Sequence, residues 1–162
     1  MDIATVHDIA EVERIIGHST VFQSSCDDDT AVLSEFDVAF WWLTTPGNIV
    51  FKRKDSLIML QPRNSITYEM HIGVVDGARR EAFGFAGEVA RWLLANTGCR
   101  KIVAMIPVFH RASILYAKLC GMKQEGISKN SFLKNGELHD CVLLGATKEE
   151  LTLRYGGGSC HQ

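Results

Sequence analysis

Residues 74–84 read Val74-Val75-Asp76-Gly77-Ala78-Arg79-Arg80-Glu81-Ala82-Phe83-Gly84, and the fold turns on how this stretch is read. It joins the end of a β-rich run, Ile66–Val75, to a helical pattern, Glu81–Asn96, in which Ala82, Phe85, Ala86, Val89 and Leu93 share one face. A strand feeding an amphipathic helix is the opening of an α/β unit. The first N–H groups of such a helix have no intrahelical partners and the helix dipole adds positive potential, so the junction suits an anion, phosphate above all. Arg79 and Arg80 stand where a guanidinium can fork onto phosphate oxygens. The same two residues also read as a solvated loop pairing with Asp76 or Glu81.

Working outward, Gly98 follows the helical pattern as a cap, and Lys101–Pro107 (KIVAMIP) is a near-continuous apolar run, as expected of a strand covered on both faces. Ala112–Leu119 is a second helical stretch stopped by Gly121. Ser131–Leu144 divides at Asn135-Gly136, the dipeptide that favours a type I′ hairpin turn. On the N-terminal side, Asn48–Arg53 and Ser56–Gln61 precede Ile66–Val75 as an antiparallel meander. Earlier still, Asp8–Gly17 sets Ile9, Val12, Ile15 and Ile16 at helical spacing, Ser24–Thr30 reads as a loop, and Thr44–Asn48 as a turn. Val38–Leu43, with Phe40, Trp41 and Trp42, fits a buried strand or a short helix equally well. The expectation is one mixed α/β (α+β) domain over residues 1–150, with residues 151–162, ending GGGSCHQ, as a flexible tail.

With 162 residues, 46% hydrophobic and 22% charged, the chain can bury a core, which excludes a disordered or collagen-like class. No apolar run reaches the 18 or so residues of a membrane span, and the N-terminus carries Asp2, Asp8, Glu11 and Glu13 where a secretory signal would be basic. No membrane association is expected. Cys26, Cys99, Cys120, Cys141 and Cys160 form an odd set without a CxxC, and read as reduced and mostly buried, which fits the cytoplasm. Residues 1–37 hold nine acidic groups against one basic, and the remainder is mildly basic. The basic residues are scattered without an aromatic-interleaved patch, so nucleic acid is not an expected partner.

The candidate chemistry sits on two elements. In Tyr68-Glu69-Met70-His71-Ile72-Gly73, Glu69 and His71 point the same way, because strand side chains two apart share a face. A half-buried glutamate beside an imidazole would titrate usefully near neutrality. Two candidate ligands without a third make a weak metal signal, and no metal is expected. In His110-Arg111-Ala112-Ser113-Ile114-Leu115-Tyr116-Ala117-Lys118-Leu119-Cys120-Gly121-Met122, Tyr116 could donate a proton or simply pack a helix. Cys120 reads as a small core residue rather than a nucleophile.

The succession of meander, arginine-bearing loop opening a helix, buried strand, second helix and closing hairpin resembles the Gcn5-related N-acetyltransferases, the GNAT superfamily, and in particular the divergent GNAT-like proteins of bacteriophages. That family's pyrophosphate loop reads Q/R-x-x-G-x-G/A; this chain offers Arg79-x-x-Ala82-x-Gly84, with alanine for the first glycine. The segment from His110 to Met122 is similar to the family's N-x-x-A helix, with His110 where asparagine is common. Counting from Ala112 puts the family's tyrosine at Tyr116, and counting back from Gly121 puts it at Ala117. The resemblance implies acetyl-CoA as cosubstrate, held by Val74, Val75, Arg79, Arg80, Ala82, Gly84, His110 and Arg111. It implies a pantetheine arm in a gap between the Glu69 strand and Lys101–Pro107, Glu69 near the family's general base, and Tyr116 as acid toward the departing thiolate. The expected activity is acetyl transfer to an amine of a small molecule or protein by direct attack, with no nucleophile of the chain's own, and the resemblance leads one to expect a homodimer. The alternative is a catalytically degenerate GNAT-fold binding or assembly protein of a phage particle. Phe40-Trp41-Trp42 and Thr44–Asn48 fall where this fold places acceptor-contacting elements, although aromatic residues there are more often core.

Overall fold

In the computed structural model, residues 5–18, 21–22, 26–75 and 79–156 are described, the side chains of residues 79–81 and 83 excepted. The meander forms as β1 (Ile49–Arg53), β2 (Ser56–Pro62) and β3 (Thr67–Val74), antiparallel in unbroken register from Ile49↔Leu60 to Ser56↔Val74. The crossover helix that follows, α4 (Arg79–Asn96), returns the chain to β4 (Lys101–Pro107), which lies parallel to β3. After α5 (Arg111–Leu119) the hairpin of β5 (Lys123–Lys134) and β6 (Glu137–Thr147) completes one six-stranded sheet in the order β1-β2-β3-β4-β6-β5. Asn135 and Gly136 both take positive φ, +53° and +75°, as a type I′ turn requires. The hairpin strands are longer than the sequence suggested, because β5 begins directly after Gly121 and Met122.

Successive side chains of β2 point to opposite faces, and its apolar run Leu57-Ile58-Met59-Leu60 is continuous because both faces are covered. Ile58 and Leu60 pack with Phe51, Phe85, Val89, Leu93, Ile102 and Leu144 beneath α4. Leu57 and Met59 pack on the other face with Val12, Ile15, Ile16 and Ala39 from α1 (Ile9–Ile16) and α3 (Glu35–Thr44). Each such side chain taken fully out of water contributes about 1.5–3 kcal/mol. The two clusters are what hold the helices to the sheet.

One reading left open is decided and three need correction. Val38–Leu43 is helical, because Ser34 caps α3 in a box with Asp37 that starts the helix ahead of the aromatic residues. The expected loop at Ser24–Thr30 contains the start of a four-residue helix, α2 (Asp28–Ala31), capped by Asp27; residues 23–25 lie outside the described residues. β4 is not covered throughout, since Met105, on the same face as Val103, is 44% exposed. Residues 151–155, expected as tail, belong to α6 (Lys148–Tyr155), started by a Thr147–Glu150 capping box and anchored by buried Leu151. Gly87 admits that helix: a Cβ there would stand 2.7 Å from the Tyr155 ring. Residues 157–162, Cys160 among them, lie outside the described residues. Cys26, Cys99 and Cys141 are buried and Cys120 partly so, all as free thiols.

Candidate active site at the divergence of β3 and β4

β3 and β4 pair over three residues only, Thr67↔Lys101, Tyr68↔Ile102 and Glu69↔Val103. Beyond that point β3 continues to Val74, still bonded to β2, and β4 continues to Pro107, still bonded to β6. The sheet therefore opens as a V whose apex is Glu69. A cavity of about 610 Å³ passes through the opening. On one side of the sheet it is floored by small residues, Ala86 and Ala90 of α4, Ala104 of β4 and Ala117 of α5. On the other it reaches Phe22, Trp41 and Trp42.

Glu69, His71 and Gly73 project from β3 toward the α1 and α3 side. Glu69 is 5% exposed. Arg63, in the turn between β2 and β3, brings both Nε and Nη2 onto Glu69 Oε2. The turn is closed by the Arg63 N–H donating to the Thr67 carbonyl at 2.8 Å, and this folds residue 63 back beside residue 69. Glu69 Oε1 is left facing His71 Nε2 at 3.6 Å, too long for a direct hydrogen bond. His71 opens one side of its ring to the cavity while Nε2 is sealed from solvent and has no hydrogen-bond partner among the described residues. Burial lowers the His71 pKa, the Glu69 carboxylate raises it and Arg63 lowers it, with a net downward shift. The imidazole is therefore neutral near pH 7, with a lone pair to offer. Arg63 was not singled out in the sequence; the signal available was the short connection of a meander whose register sets Gln61 opposite Glu69.

Across the V, Tyr116 lines the cavity from α5 and donates its O–H to the Ala82 carbonyl of α4 at 2.6 Å. Its neighbour Ala117, the competing register, is a buried methyl in the core. Burial, with smaller contributions from Cys120 and Tyr155, raises the Tyr116 pKa well above the ordinary tyrosine value and keeps the phenol protonated. Burial also raises the Cys120 thiol, so it is not a thiolate at neutral pH. Among the described residues no group of three or more His, Cys, Asp or Glu is arranged to hold a metal.

The remaining sequence-predicted residues lie around the same opening. Val74 ends β3, and the Val75 N–H donates to the Asp55 carbonyl at 3.1 Å. His110 precedes α5 and lines the cavity, and Arg111 is exposed at the first turn of that helix. The backbone of Arg79 and Arg80 opens α4, but their side chains lie outside the described residues. Ala82 and Gly84 lie within the first two turns of α4, Ala82 with its methyl buried and Gly84 exposed with open space around it. A helix leaves its opening N–H groups unpaired, which sets the free donors at residues 79–81 rather than at Gly84.

Solved acetyltransferase structures share this topology. A chimera built on spermidine N-acetyltransferase from Vibrio cholerae superposes with a TM-score of 0.75 at 13% identity, covering 95% of this chain and 100% of the other. The fold is that of the GNAT acetyltransferases. Spermidine N-acetyltransferase from Vibrio cholerae in complex with CoA and spermine gives 0.65 at 12% identity, over 93% and 96% of the two chains. A GNAT-superfamily phosphinothricin acetyltransferase from Sinorhizobium meliloti, in complex with acetyl-CoA, gives 0.67 at 17% identity, over 91% and 89%. No protein-family model and no curated protein matches the sequence. The likeness to the GNAT acetyltransferases is thus one of architecture, carried by the splayed pair and its flanking helices.

Proposed function

We propose that the protein is an acetyl-CoA-dependent N-acetyltransferase acting on an amine, and that the reaction takes place in the V between β3 and β4. The observation that carries this reading is the opening itself: a cavity runs through it with a neutral imidazole on one wall and a protonated phenol on the other. An extended pantetheine arm suits the edge of β3 that turns away from β4, where backbone N–H and C=O groups of residues 70–74 can pair as with an added strand. The alanine floor leaves room for it, and the opening N–H groups of α4 suit its pyrophosphate, with Arg79 and Arg80 close at hand. Bound acetyl-CoA supplies the acyl group as a thioester. The same superfamily matches that hold CoA and acetyl-CoA support this assignment.

In this reading the chain itself moves protons. His71 takes a proton from the acceptor ammonium, directly or through water, because burial has left it unprotonated. The imidazolium so formed faces Glu69 Oε1, which steadies the new charge while Arg63 fixes the carboxylate through Oε2. Glu69 thus acts as a partner to the base, a different division of labour from the glutamate base that the family resemblance implied. Tyr116 holds the proton for the departing sulfur, and must leave the Ala82 carbonyl to deliver it.

The test is titration calorimetry with acetyl-CoA and CoA on the full chain and on Arg79→Glu. Micromolar binding to the parent protein, weakened at least tenfold in the variant, is the expected result. No heat at millimolar ligand would remove the acetyltransferase reading.

A further inference from the structure

The acceptor side of the cavity differs in character from the catalytic wall beside it. Trp41, Trp42, Phe22 and Leu33 line it. Trp42 and Phe22 lean on the cluster formed with α1 and α3, while Trp41 and Leu33 are each 47% exposed and turn apolar surface into the opening. Large apolar side chains left half open at the mouth of a cavity mark a place for an apolar ligand rather than a finished core. The charges point the same way. Two acids line the cavity among the described residues, Asp27 and Glu69. Asp27 Oδ1 accepts the Thr30 N–H at 2.8 Å as the cap of α2, and Glu69 is neutralised by Arg63. A substrate with a second or third ammonium would have to desolvate that charge against one carboxylate, that of Asp27, and near the Arg63 guanidinium.

Resting on the acetyltransferase reading above, we infer that the acceptor is a monoamine carried on an aromatic or otherwise strongly apolar body. Trp41, Trp42 and Phe22 hold that body, and the single amine reaches toward His71. Trp41 is the specificity-determining residue of the group, because its exposure means that truncation leaves the core intact. The neutral amine nitrogen bonds to the thioester carbonyl carbon as the C–S bond breaks, the proton it sheds passes to His71, the departing thiolate takes the proton of Tyr116, and the imidazolium returns a proton to the tyrosinate through water.

The experiment compares phenethylamine with spermidine, by calorimetry in the presence of CoA and by thiol release in the presence of acetyl-CoA. Phenethylamine is expected to bind at least tenfold more tightly and to be the faster substrate. Trp41→Ala should weaken phenethylamine at least tenfold while leaving the acetyl-CoA titration and the melting temperature unchanged. Leu33→Asp, which adds a second carboxylate not paired with a cation, should narrow the preference for phenethylamine over spermidine at least threefold. Equal or tighter binding of spermidine to the parent chain, or phenethylamine binding unaltered by Trp41→Ala, would overturn the inference. The two readings fail separately: CoA binding without phenethylamine binding removes the apolar acceptor alone, and phenethylamine binding without CoA binding removes acetyl transfer alone. If neither ligand binds, both are wrong.

Discussion

The β3 wall and the α5 wall of the V each carry a titratable group partly removed from water, and that removal acts in opposite senses on the two. On β3, burial penalises the cationic form of His71 and leaves a base. On α5, burial penalises the anionic form of Tyr116 and leaves an acid. In the proposed reaction one opening thereby prepares both ends of a proton transfer, because the two groups lose different charges when they leave water. The walls also differ in how they are held. Glu69 is gripped by the Arg63 guanidinium from a neighbouring turn, whereas the Tyr116 hydroxyl donates to a backbone carbonyl of α4. In the proposed reaction the grip on β3 fixes the carboxylate that faces the base, and the hydrogen bond of Tyr116 to the Ala82 carbonyl is the one that must be exchanged.

If that contrast is right, the largest loss comes from the base. His71→Asn should lower kcat about a hundredfold, the lower range of general-base contributions, with acetyl-CoA affinity unchanged. Turnover close to that of the parent would move the base to Glu69. The pH profile separates the walls further. Activity should fall on the acid side through a pKa below the ordinary histidine value of 6.5, with no second loss on the alkaline side from Tyr116 below pH 10. Stability should follow the same group. A histidine whose folded pKa is depressed binds fewer protons folded than unfolded, so stability is full above pH 6.5 and declines as pH falls through the folded pKa. A pH series of melting temperatures should show this decline in the parent and a flatter one in His71→Asn.

Tyr116→Phe tests the other wall with a smaller effect. Losing the proton donor should reduce kcat about tenfold at nearly constant KM, and losing the bond to the Ala82 carbonyl costs about 1 kcal/mol, or about 2–4 °C in melting temperature. A thermal shift without any change in kcat would mean that Tyr116 only ties α5 to α4.

What could be read from the sequence follows the same division between local and distant causes. The period-2 runs, the helix of α4 and the Asn135-Gly136 turn depend on neighbours in the chain, and β1 to β4 fall within a residue of their expected ends, while β5 starts well before the expected hairpin. Glu69 and His71 were placed on one face by strand alternation alone. Arg63 was not found, since its meeting with Glu69 depends on how a turn folds back in space. α6 escaped for a related reason: KEELTLRY buries one leucine, so it shows little apolar periodicity, and its packing needs the missing side chain at Gly87, sixty-eight residues before Tyr155. The aromatic run around Trp41 could not be divided into core and cavity by composition, because that depends on the empty space beside it.

Gly84 gives the finest discrimination. A glycine at this place in the sequence pattern suggests close approach to a phosphate, whereas in the structure it lies inside a helix, exposed, with nothing within 4 Å of an added Cβ. Its backbone N–H is past the opening donors of α4, so a methyl group there should not touch the coenzyme. Gly84→Ala is expected to stabilise the fold by about 0.5–1 kcal/mol through helix propensity and to leave the acetyl-CoA titration as it was. A tenfold loss of affinity would place the pyrophosphate against residue 84 and move the α4 wall of the site about one turn along the helix. An unchanged affinity, beside a tenfold loss in Arg79→Glu, locates it at the opening of α4.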